Sequence, residues 1–382
     1  MANSLHWRAF CLLLCLVSAP LLGATPPAPQ RIITLTPHLT ELLYDIGAGD
    51  RIVATDDASD FPAEVATLPR VANYRSINLE ALLALKPDLV VAWRSAQARM
   101  LAPVEKLGIP VFSYIPPSAW AWRKGRAKKC AALADTFVAI FPHELPVYEA
   151  AGANISFLGN PLVDTVKAEL PEKEARAFFG IAPEDHAVLL MPGSRRQEIE
   201  LLLPDMLGAA KRLLRERPGT RFYLPVADGV DEGALRAAVD AAGVPVMLTH
   251  EARYALMGLM DAAIATSGTV VMEAALMGLP CVSLYRLAPL NYMIGRALVH
   301  VEHFTLPNIL LGETIQPELL QDEVEPHRIA DALARLYRGE AAREKTRAKL
   351  QEACQRLGPP GAAGRVAAKI LEAAHDKRHS GE

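Results

Sequence analysis

Aromatic residues and net charge are both scarce in this sequence. Only 6% of its 382 residues are Phe, Trp or Tyr, and the net charge is −3 at pH 7. Single-stranded nucleic acids are held by stacked aromatic rings in basic grooves, and nucleic acids in general by a basic surface. The sequence therefore predicts no nucleic-acid partner.

Cysteine is also infrequent, and its spacing fits neither a metal site nor a disulfide framework. Cys11 and Cys15 lie close to the N-terminus, whereas Cys130, Cys281 and Cys354 are far apart. No Cys-x-x-Cys pair and no Cys/His cluster has the spacing of a zinc site. The cysteines therefore give no indication of a metal site. The scattered cysteines are typical of a reduced, cytosolic type of chain.

Apolar runs long enough to span a bilayer are absent. The longest, Phe10–Leu22, is short, follows a weakly basic start and ends at Gly23-Ala24 before a proline-rich stretch. This layout is typical of a secretory signal peptide, which we predict at residues 1–24. An amphipathic or buried helix is the alternative, and it fits less well because neither side of the run is polar.

From residue 31 onward, short apolar runs alternate with helical patterns, which is typical of parallel sheets with crossover helices. Strands are predicted at 32–36, 51–55, 88–92, 110–114 and 136–141, and in a second series at 187–191, 221–226, 245–248, 262–266 and 281–285. A polar helical segment at 163–183 is the predicted hinge. We therefore predict an α/β fold of GT-B type, a pair of Rossmann-type domains at 31–165 and 166–345. C-terminal helices and a tail follow at 346–382.

The sharpest local motif lies where the second series of strands begins. The apolar segment Val188–Met191 runs into Pro-Gly-Ser, and a long helix is predicted to start near Arg196. Gly193 permits a tight turn, and Ser194 can cap the helix. The N–H groups at a helix start bind anions, and the guanidinium of Arg195 suits a phosphate. The loop is either a phosphate site or an ordinary capped helix with a surface arginine.

A second loop of this kind follows the strand at 262–266. Ser267, Gly268 and Thr269 place small hydrogen-bonding groups at another helix start. Glu273, one turn later, could accept hydrogen bonds from ribose hydroxyls or only complement the helix dipole. Two such helix starts favour a pyrophosphate-linked nucleotide. Neither has a Walker lysine or a GxGxxG pattern, which argues against ATP and dinucleotides.

Seven motifs, in order along the chain, give residues 109–382 a resemblance to the lipid-A-disaccharide synthase family. They lie at 115–123, 141–144, 157–164, 190–198, 266–273, 306–308 and 317–321. With the two loops described above, the resemblance implies that the UDP-sugar ligands are Gly193, Ser194, Arg195, Ser267, Gly268, Thr269, Glu273, Asn308 and Gln321. Without the resemblance, Asn308 and Gln321 would be interpreted as turn chemistry and an exposed polar side chain.

The resemblance also implies a reaction, an inverting hexosyl transfer in lipid A biosynthesis. A diacylglucosamine moves from UDP to diacylglucosamine 1-phosphate, without a metal ion or cofactor. The implied place is the cytoplasmic face of the inner membrane, which conflicts with the predicted signal peptide, and a homodimer is compatible with it. The basic cluster within 123–129 is either a solvated helix face or a contact to the acceptor phosphate or anionic lipid headgroups.

Residues 31–95 resemble a different family. Segments 33–41 and 78–90 are similar to the N-terminal lobe of a periplasmic cobalamin-binding protein, and this similarity extends over about 31–95. Tyr74 stands at a corrin-contacting position and Glu80 at a transporter-facing one. A packed surface tyrosine and a glutamate at a helix start are the alternatives.

Two synthase motifs are missing from this first domain, a Gly-Glu-x-Ser-Gly-Asp loop and an Asp-x-Pro-Asp-Phe-Asn segment. Arg94 and Gln97 stand where the two aspartates of the second motif belong. Neither side chain can take a proton from an attacking hydroxyl, so the catalytic residue is unknown and impaired activity is expected. Two alternatives remain at this point: a cobalamin-binding transport protein and a nucleotide-sugar binder without turnover.

Overall fold

The structure is a computed structural model, and two parallel β-sheets form its framework. It describes residues 29–73, 75–92, 104, 109–121, 125–132, 134–288, 292–293, 301–336 and 340–379. The predicted signal peptide, Tyr74, Arg94 and Gln97 lie outside these residues. No helix in the described ranges is both long and apolar enough to cross a membrane.

The first sheet has seven strands in the order β3-β2-β1-β4-β5-β6-β7. These strands are β1 (Ile32–Thr34), β2 (Ile52–Asp56), β3 (Arg70–Ala72), β4 (Leu89–Ala92), β5 (Val111–Tyr114), β6 (Thr136–Ala139) and β7 (Ile155–Phe157). The described helices around it are α1 (Pro37–Asp45), α2 (Leu79–Ala84), α3 (Gly125–Ala131), α4 (Leu145–Glu149) and α5 (Leu162–Thr165). Its strand pairs are all parallel.

The second sheet has six parallel strands in the order β10-β9-β8-β11-β12-β13. They are β8 (Ala187–Met191), β9 (Arg221–Pro225), β10 (Val246–Thr249), β11 (Ala262–Thr266), β12 (Cys281–Tyr285) and β13 (Glu318–Leu320). The described helices after α5 are α6 (Glu172–Phe179), α7 (Arg196–Glu216), α8 (Glu232–Ala242), α9 (Arg253–Leu259), α10 (Thr269–Leu276), α11 (Leu306–Leu311), α12 (Pro326–Leu336), α13 (Glu340–Gln355) and α14 (Ala362–His379).

Apolar side chains on both faces of each sheet explain why the strands read as continuous hydrophobic runs. Val188 and Leu190 pack into the core on one face of the second sheet. Leu189 packs into a separate core on the opposite face. In the first sheet, Ile32 and Ile33 point to different cores in the same way. The predicted pair of Rossmann-type units is therefore confirmed.

The C-terminal helix returns to the first sheet. Val366, Ile370 and Ala373 of α14 pack with Ile32 and Leu39 in one core cluster. The boundaries that we predicted at residues 165 and 345 remain predictions, and this packing ties the last predicted segment, 346–382, to the first domain.

The Asn160–Asp164 part of the motif at 157–164 joins the two domains at this return. The Asn160 side chain is buried; its amide nitrogen donates to the Ile140 carbonyl at 2.8 Å, and its backbone N–H donates to the Leu357 carbonyl at 2.9 Å. The Asp164 carboxylate accepts from the N–H of Gly361 at 2.8 Å, just before α14. These contacts give the motif a structural role in fixing the crossover.

Candidate functional site

A cleft of about 380 Å³ opens where β8, β9 and β11 end. The strand order places β8 and β11 side by side, although the chain runs from β8 outward to β9 and β10 before it returns to β11. In open parallel sheets, ligands bind at such a switch point, beyond the carboxyl ends of the strands. Both loops singled out from the sequence meet here.

Gly193 shapes the first loop. Its φ of +108° lies in a region that residues with a side chain rarely adopt. A Cβ atom at this position would lie 2.6 Å from a carboxylate oxygen of Glu198 and 3.2 Å from the Thr266 methyl. The glycine therefore allows the turn from β8 and the close packing of this loop against β11.

The first residue of the helix after this loop is Arg196, as predicted, but the capping prediction was wrong. The N-cap residue is Arg195, which lies in extended backbone and whose side chain makes no capping hydrogen bond. Ser194 lies one position too early to reach the free N–H groups of the first turn. The start of α7 therefore leaves these donors for another acceptor.

Arg195 is exposed and paired within its own helix turn. Its Nη1 donates to Oε1 of Glu198 at 2.6 Å, while 82% of the arginine side chain remains accessible. An exposed ion pair of this kind contributes less than about 1 kcal/mol. The guanidinium can therefore exchange the carboxylate for a ligand phosphate at little cost.

The second loop presents the start of α10 to the same cleft. Gly268 is the N-cap residue in extended backbone, without a side-chain cap, and Thr269 is exposed. The Ser267 hydroxyl is already engaged, since it donates to the Phe304 carbonyl at 3.2 Å. The backbone N–H groups at this helix start, rather than the serine hydroxyl, are the donors available to an anion.

Glu273 lies one turn into α10, where it forms an ion pair that the sequence did not reveal. The residue is only 8% exposed, and its Oε2 lies 3.1 Å from Nη2 of Arg253 at the start of α9. The alignment is not that of a hydrogen bond, and Oε2 accepts none within the described part of the chain. A buried carboxylate oxygen thus retains its capacity to accept from a hydroxyl.

The cleft therefore gathers seven of the nine predicted ligands. Its walls include Gly193, Ser194, Arg195, Ser267, Gly268, Thr269 and Glu273, together with Arg253 and Glu198. Arg253 and Glu198 were missed because neither stands in a glycine-bearing loop. Arg253 follows β10 by only a few residues, and a basic residue after the carboxyl end of a strand was the available signal.

Asn308 and Gln321 are not part of the lining. The Asn308 side chain is fully buried, donates to the Gln316 carbonyl at 3.0 Å and accepts from the Ile315 N–H at 3.0 Å. The Gln321 amide bonds both backbone groups of Leu287, at 2.9 and 3.1 Å. In this structure both amides stabilise loops. For Asn308 this agrees with the alternative interpretation as turn chemistry.

The motif at 141–144 holds a buried glutamate and a half-buried histidine near the junction of the domains. Phe141 packs against Met272 and Ala275 of α10, and the His143 ring meets Trp120 edge-on at 4.9 Å. Burial lowers the pKa of His143 to about 4 and raises the pKa of Glu144 to about 7. Oε2 of Glu144 accepts no hydrogen bond from a described residue, which agrees with a carboxyl group kept neutral by desolvation.

The cleft brings together two helix starts, two arginines and a buried carboxylate. Such an arrangement can neutralise a diphosphate with backbone N–H groups and guanidinium groups and can accept hydroxyl hydrogen bonds at Glu273. Among the described residues, no three His, Cys, Asp or Glu side chains form a group that could hold a metal ion.

Solved structures with the same architecture define the class. UDP-GlcNAc 2-epimerase from Neisseria meningitidis, solved with UDP-GlcNAc, aligns with a TM-score of 0.58 and 12% identity over 90% of this chain and 100% of its own. Acinetobacter baumannii MurG aligns with a TM-score of 0.58 and 14% identity over 90% of this chain and 100% of its own. At this identity the likeness concerns the fold, which is the GT-B arrangement of two Rossmann-like domains.

The chain belongs to the lipid-A-disaccharide synthase family, because residues 63–365 match the family model described as "Lipid-A-disaccharide synthetase". The Geobacter metallireducens lipid-A-disaccharide synthase is 41% identical over 295 residues, which are 76% of this chain and 77% of the relative. The Trichlorobacter lovleyi synthase is 38% identical over 372 residues, which cover 90% of this chain and 97% of the relative. The protein is therefore a hexosyltransferase of lipid A biosynthesis.

These matches do not support the resemblance of 31–95 to a cobalamin-binding lobe. The family match begins at residue 63, inside that segment, and the Trichlorobacter lovleyi relative aligns over 90% of the chain. Glu80 is exposed in the first turn of α2, where an acidic residue complements the helix dipole. A buried strand followed by a helix starts many α/β folds, so this pattern carries little functional information.

Proposed function

We propose that this protein transfers a diacylglucosamine from UDP to diacylglucosamine 1-phosphate and that UDP binds in the cleft beyond β8 and β11. The observation that carries this proposal is the convergence of two uncapped helix starts, α7 and α10, on one cleft with the buried Glu273 carboxylate. A nucleoside diphosphate has the anionic and hydroxyl groups that such a site complements.

Each group in the cleft has a specific role in this proposal. The N–H groups at the starts of α7 and α10 hold the diphosphate, and Arg195 leaves Glu198 to add its charge. Glu273 accepts hydrogen bonds from the ribose. During transfer the negative charge on the departing UDP grows, and donors already oriented toward it stabilise that charge most effectively. Inversion at the sugar carbon would follow from direct attack by the acceptor hydroxyl.

Asn308 and Gln321 can bind the sugar only if their side-chain amides exchange their present hydrogen-bond partners. Gln321 has a φ of +53°, and its two hydrogen bonds to Leu287 would have to break. Asn308 is too buried to reach the cleft without movement of α11. Their first role in the proposal is therefore to hold the loops beside the donor site.

We propose that the basic surface of α3 binds the acceptor and the membrane. Arg126, Lys128 and Lys129 are exposed there, whereas Arg123 and Lys124 of the same cluster lie outside the described residues. Cationic side chains at a bilayer attract anionic headgroups with about 1 kcal/mol each. We propose a peripheral position on the inner membrane, and a homodimer is compatible with it.

Slow turnover is part of the proposal. Arg94 and Gln97 stand in the sequence where relatives of the family would carry aspartates, and neither can serve as a general base. Loss of general-base assistance lowers a rate by about 10²–10⁴. At the lowest rate, the protein would bind the nucleotide sugar without turning it over.

Thermal unfolding with and without UDP tests the donor site. At a UDP concentration about a hundredfold above Kd, the free energy of unfolding should rise by about 2.7 kcal/mol. ADP at the same concentration controls for unspecific anion binding, and a smaller shift is expected with it. A melting temperature that millimolar UDP leaves unchanged would refute the proposed donor site.

A further inference from the structure

A second and larger cavity lies beside the donor cleft, between α7 and α8. This α7–α8 groove encloses about 660 Å³, within the range of about 300–1,000 Å³ that is usual for ligand sites. Its floor consists of Leu203, Leu207 and Leu235, which belong to the core on that face of the sheet. Its wall on α8 is made of small side chains, including Ala238 and Ala242.

The groove is apolar inside and polar at its mouth. Arg196 and Glu200 line the mouth and form an exposed ion pair at 2.7 Å. Asp231 lines it as well and caps α8 by accepting from the Ala234 N–H at 3.1 Å. A ligand that fits this pattern has a polar end and a long hydrocarbon part.

The groove adjoins the donor cleft. Ser194, just before the start of α7, lines both cavities. The lining runs along α8 from its N-cap to Ala242, the last residue of the helix. At 1.5 Å per residue this path is roughly 16 Å long, so the groove is an elongated channel that leads away from the diphosphate site.

We propose that the α7–α8 groove binds an acyl chain of the UDP-linked lipid sugar. This inference rests on the proposed function, which places the UDP moiety in the adjoining cleft. A diacylated sugar attached to that diphosphate needs an apolar surface within reach, and among the described residues the groove offers one that shares a wall residue with the cleft. Small residues on α8 leave the width that a flexible chain requires.

Hydrocarbon burial predicts a clear dependence on chain length. Each methylene removed from water should raise the affinity roughly fourfold, since its burial contributes about 0.8 kcal/mol. The rise should stop when the groove is filled. A larger side chain in the groove should therefore shorten the useful chain without altering UDP affinity.

Titration calorimetry of the full chain tests this with UDP, UDP-glucosamine and UDP-diacylglucosamines of increasing acyl length. The groove variant is Ala238→Trp, and the matched control is Ala237→Trp, the neighbouring alanine that is exposed on α8. If the Ala238→Trp side chain excludes only two methylenes from the groove, the affinity for the acylated donor should fall about fifteenfold. UDP and UDP-glucosamine should bind all three proteins equally.

The outcomes separate this inference from the proposed function. If UDP itself does not bind the wild type, the proposed function fails and this inference falls with it. If UDP binds but acyl length has the same effect in Ala238→Trp and wild type, only the groove assignment is overturned. Ala238→Trp weakening diacylglucosamine 1-phosphate rather than the donor would assign the groove to the acceptor and also overturn it. Should Ala238→Trp fail to fold, Ala234→Trp at the exposed end of the groove gives the same comparison.

Discussion

Nη2 of Arg253 lies 3.1 Å from Oε2 of Glu273 and so joins the start of α9 to the buried side of α10. The two partners differ in exposure, since half of the arginine side chain is accessible but only 11% of the glutamate side chain is. The arginine therefore compensates a carboxylate that water reaches poorly. The pair therefore links two elements in the wall of the cleft.

This asymmetry predicts that Arg253→Ala destabilises the protein more than Glu273→Ala. Loss of Arg253 leaves a buried charge without its partner and should cost about 1–2 kcal/mol, a value reduced by the exposure of the arginine. Chemical denaturation at neutral pH measures both variants. The double variant should be more stable than Arg253→Ala alone; additive losses would show that the two side chains do not interact.

Arg195→Ala and Glu273→Ala should each weaken UDP binding by about 1.5–3 kcal/mol, because each removes a charge-assisted contact to the nucleotide. Calorimetric titration with UDP gives the affinities. Arg212→Ala is the control, since Arg212 lies near the other end of α7 and is half exposed in a pair with Glu216. Equal UDP affinity in the wild type and both cleft variants would reduce the two loops to structural elements.

Gly193→Ala should lower the free energy of unfolding by about 1–3 kcal/mol, the usual cost of strained backbone. The reason is the φ of +108° and the 2.6 Å approach of an added Cβ to Glu198. Gly268→Ala provides the comparison, because its extended backbone suits any residue and no atom lies within 4 Å of an added Cβ. Similar stabilities for both variants would contradict the geometry of the first loop.

The buried Glu144 predicts a pH-dependent effect. Its pKa of about 7 in the folded state lies above the ordinary 4.5, so the folded protein holds an extra proton between these values and stability falls as pH rises through them. Glu144→Gln should therefore gain stability over wild type from pH 4.5 to 7, by up to about 3 kcal/mol. Glu149→Gln, at an exposed position of α4, should show no such trend. A pH-independent difference for Glu144→Gln would contradict the raised pKa.

The sequence predicted the central strands well and missed three others. β8, β11 and β12 have the predicted bounds, because strands buried on both faces read as uninterrupted apolar runs. The missed strands are β3, β7 and β13, each three residues long and each at the edge of a sheet. Edge strands are short and covered on fewer sides, so they leave a weak pattern.

The candidate site was predictable where a single loop carried its residues. The glycine-bearing loops at Gly193 and Gly268, which meet in the cleft, could be identified from local sequence. The pairing of Arg253 with Glu273 could not be predicted, because it depends on the order of β10, β9, β8 and β11 in the sheet, which is not visible in sequence spacing. Asn308 illustrates the opposite case, since its motif predicted a ligand whereas its hydrogen bonds serve a buried turn.

The catalytic capacity of the first domain is the central remaining prediction. Residues 1–108 would be replaced with the corresponding domain of the Trichlorobacter lovleyi synthase. This relative aligns with the chain over 97% of its own length. The exchanged segment contains Arg94 and Gln97 but none of the nine predicted UDP-sugar ligands. UDP affinity should therefore be equal in the native chain and the chimera, which controls for folding of the donor site.

Turnover of radiolabelled UDP-diacylglucosamine with diacylglucosamine 1-phosphate is the most direct test of the account. The chimera should form the disaccharide, lose that activity with Arg195→Ala, and exceed the native chain by about 10²–10⁴ in rate, the usual contribution of a general base. A chimera that binds UDP but forms no disaccharide would contradict the proposed transfer. Equal rates for the native chain and the chimera would show that the native first domain supplies an effective base and that activity is not impaired.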